Sequence, residues 1–312
     1  MIGCFVTGTD TGVGKTLVST GLLHALAPHH RRVVGMKPVA AGVVPWGEDW
    51  ASEDAIALRS ASTLAVAPEL DNPVLLLDPL SPHIAAERAG VQIDIAAIVR
   101  SYQALAAQAD AVVVEGAGGF HVPLTDTQTG ADLAQALALP VVLVVGLRLG
   151  CLSHALLTAE AIRARGLVLV GWVANRVDPE MEAADENIAY LRARLGVPLL
   201  AEVPYQDLPD ARSLVFELPG EWRWRRNPTP PPGSTRSRGA WPTSSAPTCC
   251  AAAAWCNPRA VPTCWWTASP CWPFAATTTW AWPATPRWPR PLGTPRTPLA
   301  WARAARPWSA AT

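Results

Sequence analysis

The stretch IGCFVTGTDTGVGKTLVSTGLLHALA (2–27) decides how the rest of the chain is read. It passes from an apolar, β-branched segment through a glycine-bearing loop into a segment whose apolar residues stand three and four apart. That is the strand–loop–helix setting in which a phosphate-binding P-loop, G-x-x-x-x-G-K-[ST], operates. The spacing is one residue too long: five residues separate Gly8 from Gly14, and a strict match would need glycine where Thr9 stands. Gly12 and Gly14 nevertheless allow backbone N–H groups to turn inward around phosphate oxygens, and the helix N-terminus adds positive potential. Lys15 is then placed to reach the outer phosphates and the Thr16 hydroxyl to ligate Mg²⁺.

Working outward, short apolar runs alternate with segments of helical period. Strands are expected at 2–8, 32–39, 110–116, 140–146, 168–177 and 198–204, and helices at 14–27, 93–108, 130–138, 151–166 and 180–196. Nearly continuous Val/Leu/Ile runs suit parallel strands covered on both faces. Two of the helical segments stop at a glycine, Gly166 and Gly196. The alternation predicts an α/β fold, a doubly wound and mainly parallel sheet, with ligands gathered at the carboxyl ends of the strands.

Charged residues at the ends of those runs are the next candidates. The chain has two lysines, Lys15 and Lys37, against 23 arginines, and Lys37 closes the apolar run in GMKPVAAG (35–42). A compact ammonium there reads as a charge facing phosphates, with a snorkelling surface lysine as the plain alternative. Glu115, in AVVVEGAGG (111–119), ends another buried run, where a carboxylate meets magnesium or its waters. Asp54, in ASEDAIAL (51–58), begins a helical segment and by spacing is as good a helix cap as a ligand.

Composition divides the chain near Gly220. From Glu221 onward lie 12 of the 15 tryptophans and five of the seven cysteines, and the only acid is Glu221. Residues 1–220 carry 14 Lys+Arg and 24 Asp+Glu, a net charge of −10, which argues against nucleic-acid binding. The 221–312 stretch, rich in Pro, Ala, Arg, Thr and Trp, has the mixture that GC-rich DNA yields out of frame, so a frameshift near codon 220 is expected. A Pro-rich disordered extension is the alternative, although such segments are poor in aromatics. The tail cysteines lack paired C-x-x-C spacing and partner histidines, which speaks against zinc. No charged leader with an apolar core opens the chain, and no apolar run is long enough to span a bilayer. With Cys4 and Cys151 as the only cysteines before the tail, a cytoplasmic protein with no membrane partner is expected.

GTDTGVGKT, GMKPVAAG, SEDAIAL, SPHIAAE, VVVEGAGGFHVPL, LVVGLRLGCLSHALLTAEAI, GWVANRV and LLAEVPY together resemble the dethiobiotin synthetase family in order and spacing, from about Ile2 to Leu218. In that family the loop has the longer G-x₅-G-K-T form, so Thr9 belongs to it. The resemblance implies a single P-loop domain, 1–220, working as a homodimer. It would use ATP as co-substrate, Mg²⁺ as cofactor, and 7,8-diaminononanoate with CO₂ or bicarbonate as substrates. It implies Lys37, Lys15 and Thr11 as catalytic residues and Thr16, Asp54 and Glu115 as metal ligands. It further implies that Gly12 through Leu17, including Val13, hold the nucleotide with Gly116, Ala117, Gly118, Asn175, Arg176, Pro204, Tyr205 and Gln206. Thr11, Lys37, Ala41 and the helix start Gly150, Cys151, Leu152, Ser153 match its substrate positions, the last four reaching the distant carboxylate from a partner subunit. Read alone, Cys151 and Ser153 equally suit a helix start with a small buried thiol. Ala41 stands where the family usually has a hydroxyl residue, and Ser153 where asparagine is common; losing one such hydrogen bond costs about 1 kcal/mol. Rival P-loop readings lack support. A corrinoid amidotransferase needs a glutaminase domain, and a partitioning-type ATPase switch needs a second lysine where Thr9–Asp10–Thr11 stand.

Overall fold

The computed structural model describes residues 1–222 except Glu48. The aberrant-looking stretch singled out by composition lies outside the described residues from 223 onward. In chain order the elements are β1 (Ile2–Gly8), α1 (Lys15–Leu26), β2 (Val33–Met36), β3 (Val39–Ala41), β4 (Val44–Trp46), β5 (Asp49–Ala51), α2 (Glu53–Ala61), α3 (Pro68–Asp71) and β6 (Val74–Leu76). There follow α4 (Pro82–Ala89), α5 (Ile95–Ala106), β7 (Ala111–Gly119), α6 (Gly130–Leu137), β8 (Val141–Leu147), α7 (Cys151–Ala164), β9 (Leu169–Arg176), α8 (Ala184–Leu195) and β10 (Leu199–Val203).

Six strands form one sheet in the order β10-β9-β8-β1-β7-β2, every pairing parallel. Successive side chains along a strand point to opposite faces, and both faces are packed. Cys4 and Val6 join Val113, Val142, Val144 and Val173 in a cluster with α1 and α2. Phe5 joins Val112, Val114, Leu143 and Val145 in a second cluster beneath α5, α6, α7 and α8. This two-sided burial is why the strands read as unbroken apolar runs. Each fully buried Leu, Val or Phe contributes roughly 1.5–3 kcal/mol. The doubly wound parallel fold expected from the alternation is the fold observed. Among the described residues packing continues to Trp222, buried and accepting a 2.8 Å hydrogen bond from His30 Nε2 at its carbonyl. The packed fold therefore passes two residues beyond the compositional boundary.

The expected strand at 32–39 divides in two. Pro38 has no N–H to continue the ladder, so β2 ends at Met36, and β3 leaves the main sheet to pair with β6. The β4–β5 hairpin and the short helices α3 and α4 were not anticipated. Placement of the site follows from topology. β1 lies between β7 and β8, and the chain winds first to one side of β1 and later to the other. The crevice opens outside the carboxyl end of β1, where the glycine loop stands.

Candidate active site

The loop from Thr9 to Gly14 joins β1 to α1, with Gly12 at φ 73° and Gly14 at φ 86°, both in the left-handed region that glycine tolerates. Gly14 is required on a second count: a Cβ there would lie 2.1 Å from Asn175 Nδ2. That amide donates a 2.9 Å hydrogen bond to the Val13 carbonyl, tying the end of β9 to the loop. Asn175 is thus brought beside the P-loop from 162 residues away in sequence, with its amide oxygen free of any protein donor among the described residues. Together with Leu17, Arg176, Pro204, Tyr205 and Gln206 it lines a cleft of about 230 Å³. The Arg176 guanidinium at the rim is held by Glu202 and Asp185.

Beside this cleft four side chains converge. Thr16 Oγ1 donates to Asp54 Oδ1 at 2.7 Å and lies 2.9 Å from Glu115 Oε1. The Lys37 ammonium stands 2.6 Å from Asp54 Oδ2 and 2.7 Å from Glu115 Oε1. Lys37 is 4% exposed and Glu115 0%, so the snorkelling alternative for Lys37 is wrong. Burial works against the Lys37 charge, yet the facing Glu115 and Asp54 carboxylates outweigh it and raise the pKa. For Asp54, burial is likewise overcome, by the charge and hydrogen bond of Lys37, and its pKa falls. Asp54 is no cap: Ser52 occupies the N-cap position of α2, and Asp54 turns its carboxylate into the cluster from the first helical turn.

Lys15, also buried, donates 2.9 Å to the Asp10 carbonyl. Its pKa is lowered to about 8, by burial first and then by the nearby Lys37 charge. Gly116 and Ala117 line a narrow gap between β1, β7 and Pro38. At Gly118 a Cβ would stand 3.5 Å from Thr11 Oγ1, which brings the loop and the end of β7 together.

Two supports escaped the sequence reading. Lys37 is held through its backbone: its N–H donates to the Asp71 carbonyl at 2.7 Å, and Asn72 Nδ2 donates to its carbonyl at 2.7 Å. Asp71 is gripped in turn by both ends of the Arg59 guanidinium, at 2.8 and 2.6 Å, and Arg59 lies on α2, the helix that carries Asp54. One helix therefore fixes both the backbone and the head group of Lys37. The turn-forming sequence DNP (71–73) was the available signal. The second support is Arg148, past the end of β8, whose guanidinium pairs with the Asp10 carboxylate. The same carboxylate accepts the Thr11 N–H at 2.7 Å.

The remaining expected residues stand apart. Ala41 ends β3 half-buried, and its methyl side chain offers no hydrogen bond. Gly150, left-handed at φ 95°, caps α7; Cys151 is buried, Leu152 is half-buried and Ser153 is exposed. Among the described residues no hydrogen bond joins this helix start to the Lys37 cluster.

The donor set fits a hard divalent ion. A hydroxyl and two carboxylates converge, and Glu115 Oε2 is buried with no hydrogen-bond partner. Mg²⁺ takes few protein ligands and completes its shell with phosphates and water. Among the described residues no group of three or more His, Cys, Asp or Glu stands close enough together to hold a metal ion. No helix among them is long and apolar enough to cross a membrane.

Comparison with known proteins bears on this geometry. A family model described as an AAA domain matches residues 3–213. Over 218 residues the chain is 55% identical to the ATP-dependent dethiobiotin synthetase BioD of Aromatoleum aromaticum, spanning 69% of this chain and 97% of that protein. Over 212 residues it is 54% identical to the protein of the same name from Nitrosospira multiformis, spanning 68% and 92%. Among solved structures, the MinC:MinD cell division protein complex of Aquifex aeolicus aligns with a TM-score of 0.42 at 16% identity, over 66% of this chain and 82% of that one.

Proposed function

This chain belongs to the family of ATP-dependent dethiobiotin synthetases, and from that premise we propose that it carboxylates and cyclises 7,8-diaminononanoate to dethiobiotin. It is an ATP-dependent ligase of biotin biosynthesis. In the reaction, one amine adds to CO₂ and loses a proton, giving a carbamate. A carbamate oxygen takes the γ-phosphoryl group of ATP, and ADP leaves. The second amine then attacks the carbamoyl carbon, the C–O bond to phosphate breaks, and the amine's proton departs as the five-membered urea closes.

The observation that carries this reading is the convergence of Lys37, Thr16, Asp54 and Glu115 beside the glycine loop. Carbamate and triphosphate are both anionic, so their encounter needs fixed positive charge at the transferring group. Lys15 and Lys37 supply it from the ends of the same crevice. Thr16, Asp54 and Glu115 would hold Mg²⁺, which when bound neutralises phosphate charge. Asn175 has its amide oxygen available to accept from an adenine N6 amine, between Pro204 and Tyr205. Ring closure is intramolecular, so holding the diamine in a near-attack geometry supplies much of the acceleration.

Three further parts of the reading concern assembly. At the start of α7 the Cys151 N–H is taken by the Arg148 carbonyl, so the Leu152 and Ser153 N–H groups are the ones suited to a carboxylate, and as a homodimer the protein would offer them to the partner's substrate. The catalytic domain is assigned to 1–220, with 221–312 read as a frameshift product or a disordered extension whose first two residues, Glu221 and Trp222, continue the packed fold. The place of work is the cytoplasm.

The test is direct: incubate the protein with 7,8-diaminononanoate, bicarbonate, Mg²⁺ and ATP, and follow dethiobiotin by mass spectrometry alongside ADP. Dethiobiotin formed in step with ADP supports the proposal. ATP hydrolysis with no dethiobiotin overturns it.

A further inference from the structure

We propose that the Asp54–Glu115 pair is a cation seat used in exchange: it holds the Lys37 ammonium, and a divalent ion arriving with nucleotide displaces that ammonium toward the reacting groups. The inference rests on the reading of this site as a metal–nucleotide site and adds to it a sequence of events.

The geometry leads there. Lys37 Nζ and Thr16 Oγ1 share Glu115 Oε1, at 2.7 and 2.9 Å, and take the two separate oxygens of Asp54, at 2.6 and 2.7 Å. A divalent ion bound through Thr16, Asp54 and Glu115 would draw on the same two carboxylates that hold the ammonium, with Glu115 Oε2 and Asp54 Oδ1 as the oxygens Lys37 does not touch. Mg²⁺ binds oxygen at roughly 2.0–2.1 Å and demands a near-octahedral shell, so an ion on these two carboxylates would crowd the ammonium that bridges them. Two cations within contact distance in a buried site also repel strongly.

The backbone of Lys37 stays put in such an exchange. Its N–H and C=O are bonded to Asp71 and Asn72, and Asp71 is anchored by Arg59. Only the four-carbon side chain is released, so the head group swings about a fixed point within the same crevice. Lys37 is then freed only when metal and nucleotide are in place. The acceptor side of the reaction is therefore completed after the donor side is loaded.

Two measurements on the full chain decide the matter. The first titrates Mn²⁺ without nucleotide, read by electron paramagnetic resonance. Lys37→Met leaves two facing carboxylates uncompensated, and it is expected to bind Mn²⁺ at least about tenfold more tightly than the wild type. Equal or weaker binding overturns the exchange. The second uses the wild type, in case the variant folds poorly. With only two lysines in the chain, ¹³Cε-lysine labelling gives two resonances. Lys37→Arg identifies which is which. Mg²⁺ with ADP should move the Lys37 resonance more than ADP alone does; a Lys37 resonance indifferent to the metal overturns the proposal. Neither readout requires turnover, so a positive exchange without dethiobiotin formation would sink the reaction assignment and leave the seat standing.

Discussion

The adjacent strands β2 and β7 are joined by an ion pair at each end of β2, and the two pairs behave as different objects. At the amino ends Arg32 pairs with Asp110 at 2.8 Å, with side chains 52% and 33% exposed. Just past the carboxyl end of β2, Lys37 pairs with Glu115, midway along β7, at 2.7 Å, with side chains 5% and 0% exposed. Register and separation are nearly the same; solvent is not. Water screens the first pair, whose work is to tie strand entrances together through Arg32 N–H to Asp110 and Asp110 N–H to Arg32. The second pair has lost water on both sides; Asp54 and Thr16 bond to it, and Glu115 Oε2 is left buried without a partner. A buried charge cluster of that kind is a poor stabiliser and a good site.

The comparison can be broken most decisively at Lys37. Lys37→Ala is expected to lower kcat by at least about 10²–10³-fold while ATP still binds, measured by product formation and by calorimetry. Retained turnover would make the buried pair as inert as the exposed one. Next in size is Gly14→Ala, which forces a Cβ against Asn175 at a positive φ. The left-handed backbone costs about 1–2 kcal/mol and the displaced amide loosens the cleft lined by Asn175, so on the proposed reading ADP affinity should fall about tenfold.

A third pair of intermediate exposure sharpens the series. Asp132, in the first turn of α6, accepts from Thr129 N at 2.7 Å and from Arg165 at 2.6 Å, with side chains about a third exposed. Burial alone would raise its pKa, but the Thr129 N–H and Arg165 lower it from 3.8 to about 2. Since the folded value lies below the unfolded one, this stabilisation is complete above pH 4 and fades as pH falls toward 2. Asp132→Asn should lower the unfolding temperature at pH 7 by about 2–4 °C and flatten the acid limb of the stability curve. Smallest of all, Asp110→Asn should leave kcat and KM unchanged, with a shift in unfolding temperature below that of Asp132→Asn. An effect on turnover would show that the two ends of the sheet communicate.

How far the sequence went can be judged from the same residues. The glycine loop, Lys15 and Thr16 lie within nine consecutive positions, so local spacing identified them. Lys37 and Glu115 were conspicuous as charges ending apolar runs, although only the fold could show that they touch. Asp54 stayed ambiguous between cap and ligand, because a carboxylate in a first helical turn serves either purpose. Arg59, Asp71 and Asn72 went unseen, as did Arg148 and Asp10. Each is an ordinary charged or polar residue whose meaning lies in a partner 12, 35 or 138 positions away. The three-residue strands β3 to β6 fall below the length at which periodicity is readable.

By itself, then, the sequence determined the strand–helix alternation, the parallel sheet and the phosphate loop, since these follow from short-range spacing and from burial on two faces. Only the tertiary structure decided that Lys37 sits between Asp54 and Glu115, that its backbone is locked by Asn72 and Asp71, and that Asn175 closes on Gly14. Those contacts arise where separate strand ends meet, and the distance between strand ends is a property of the assembled sheet that no local window of residues contains.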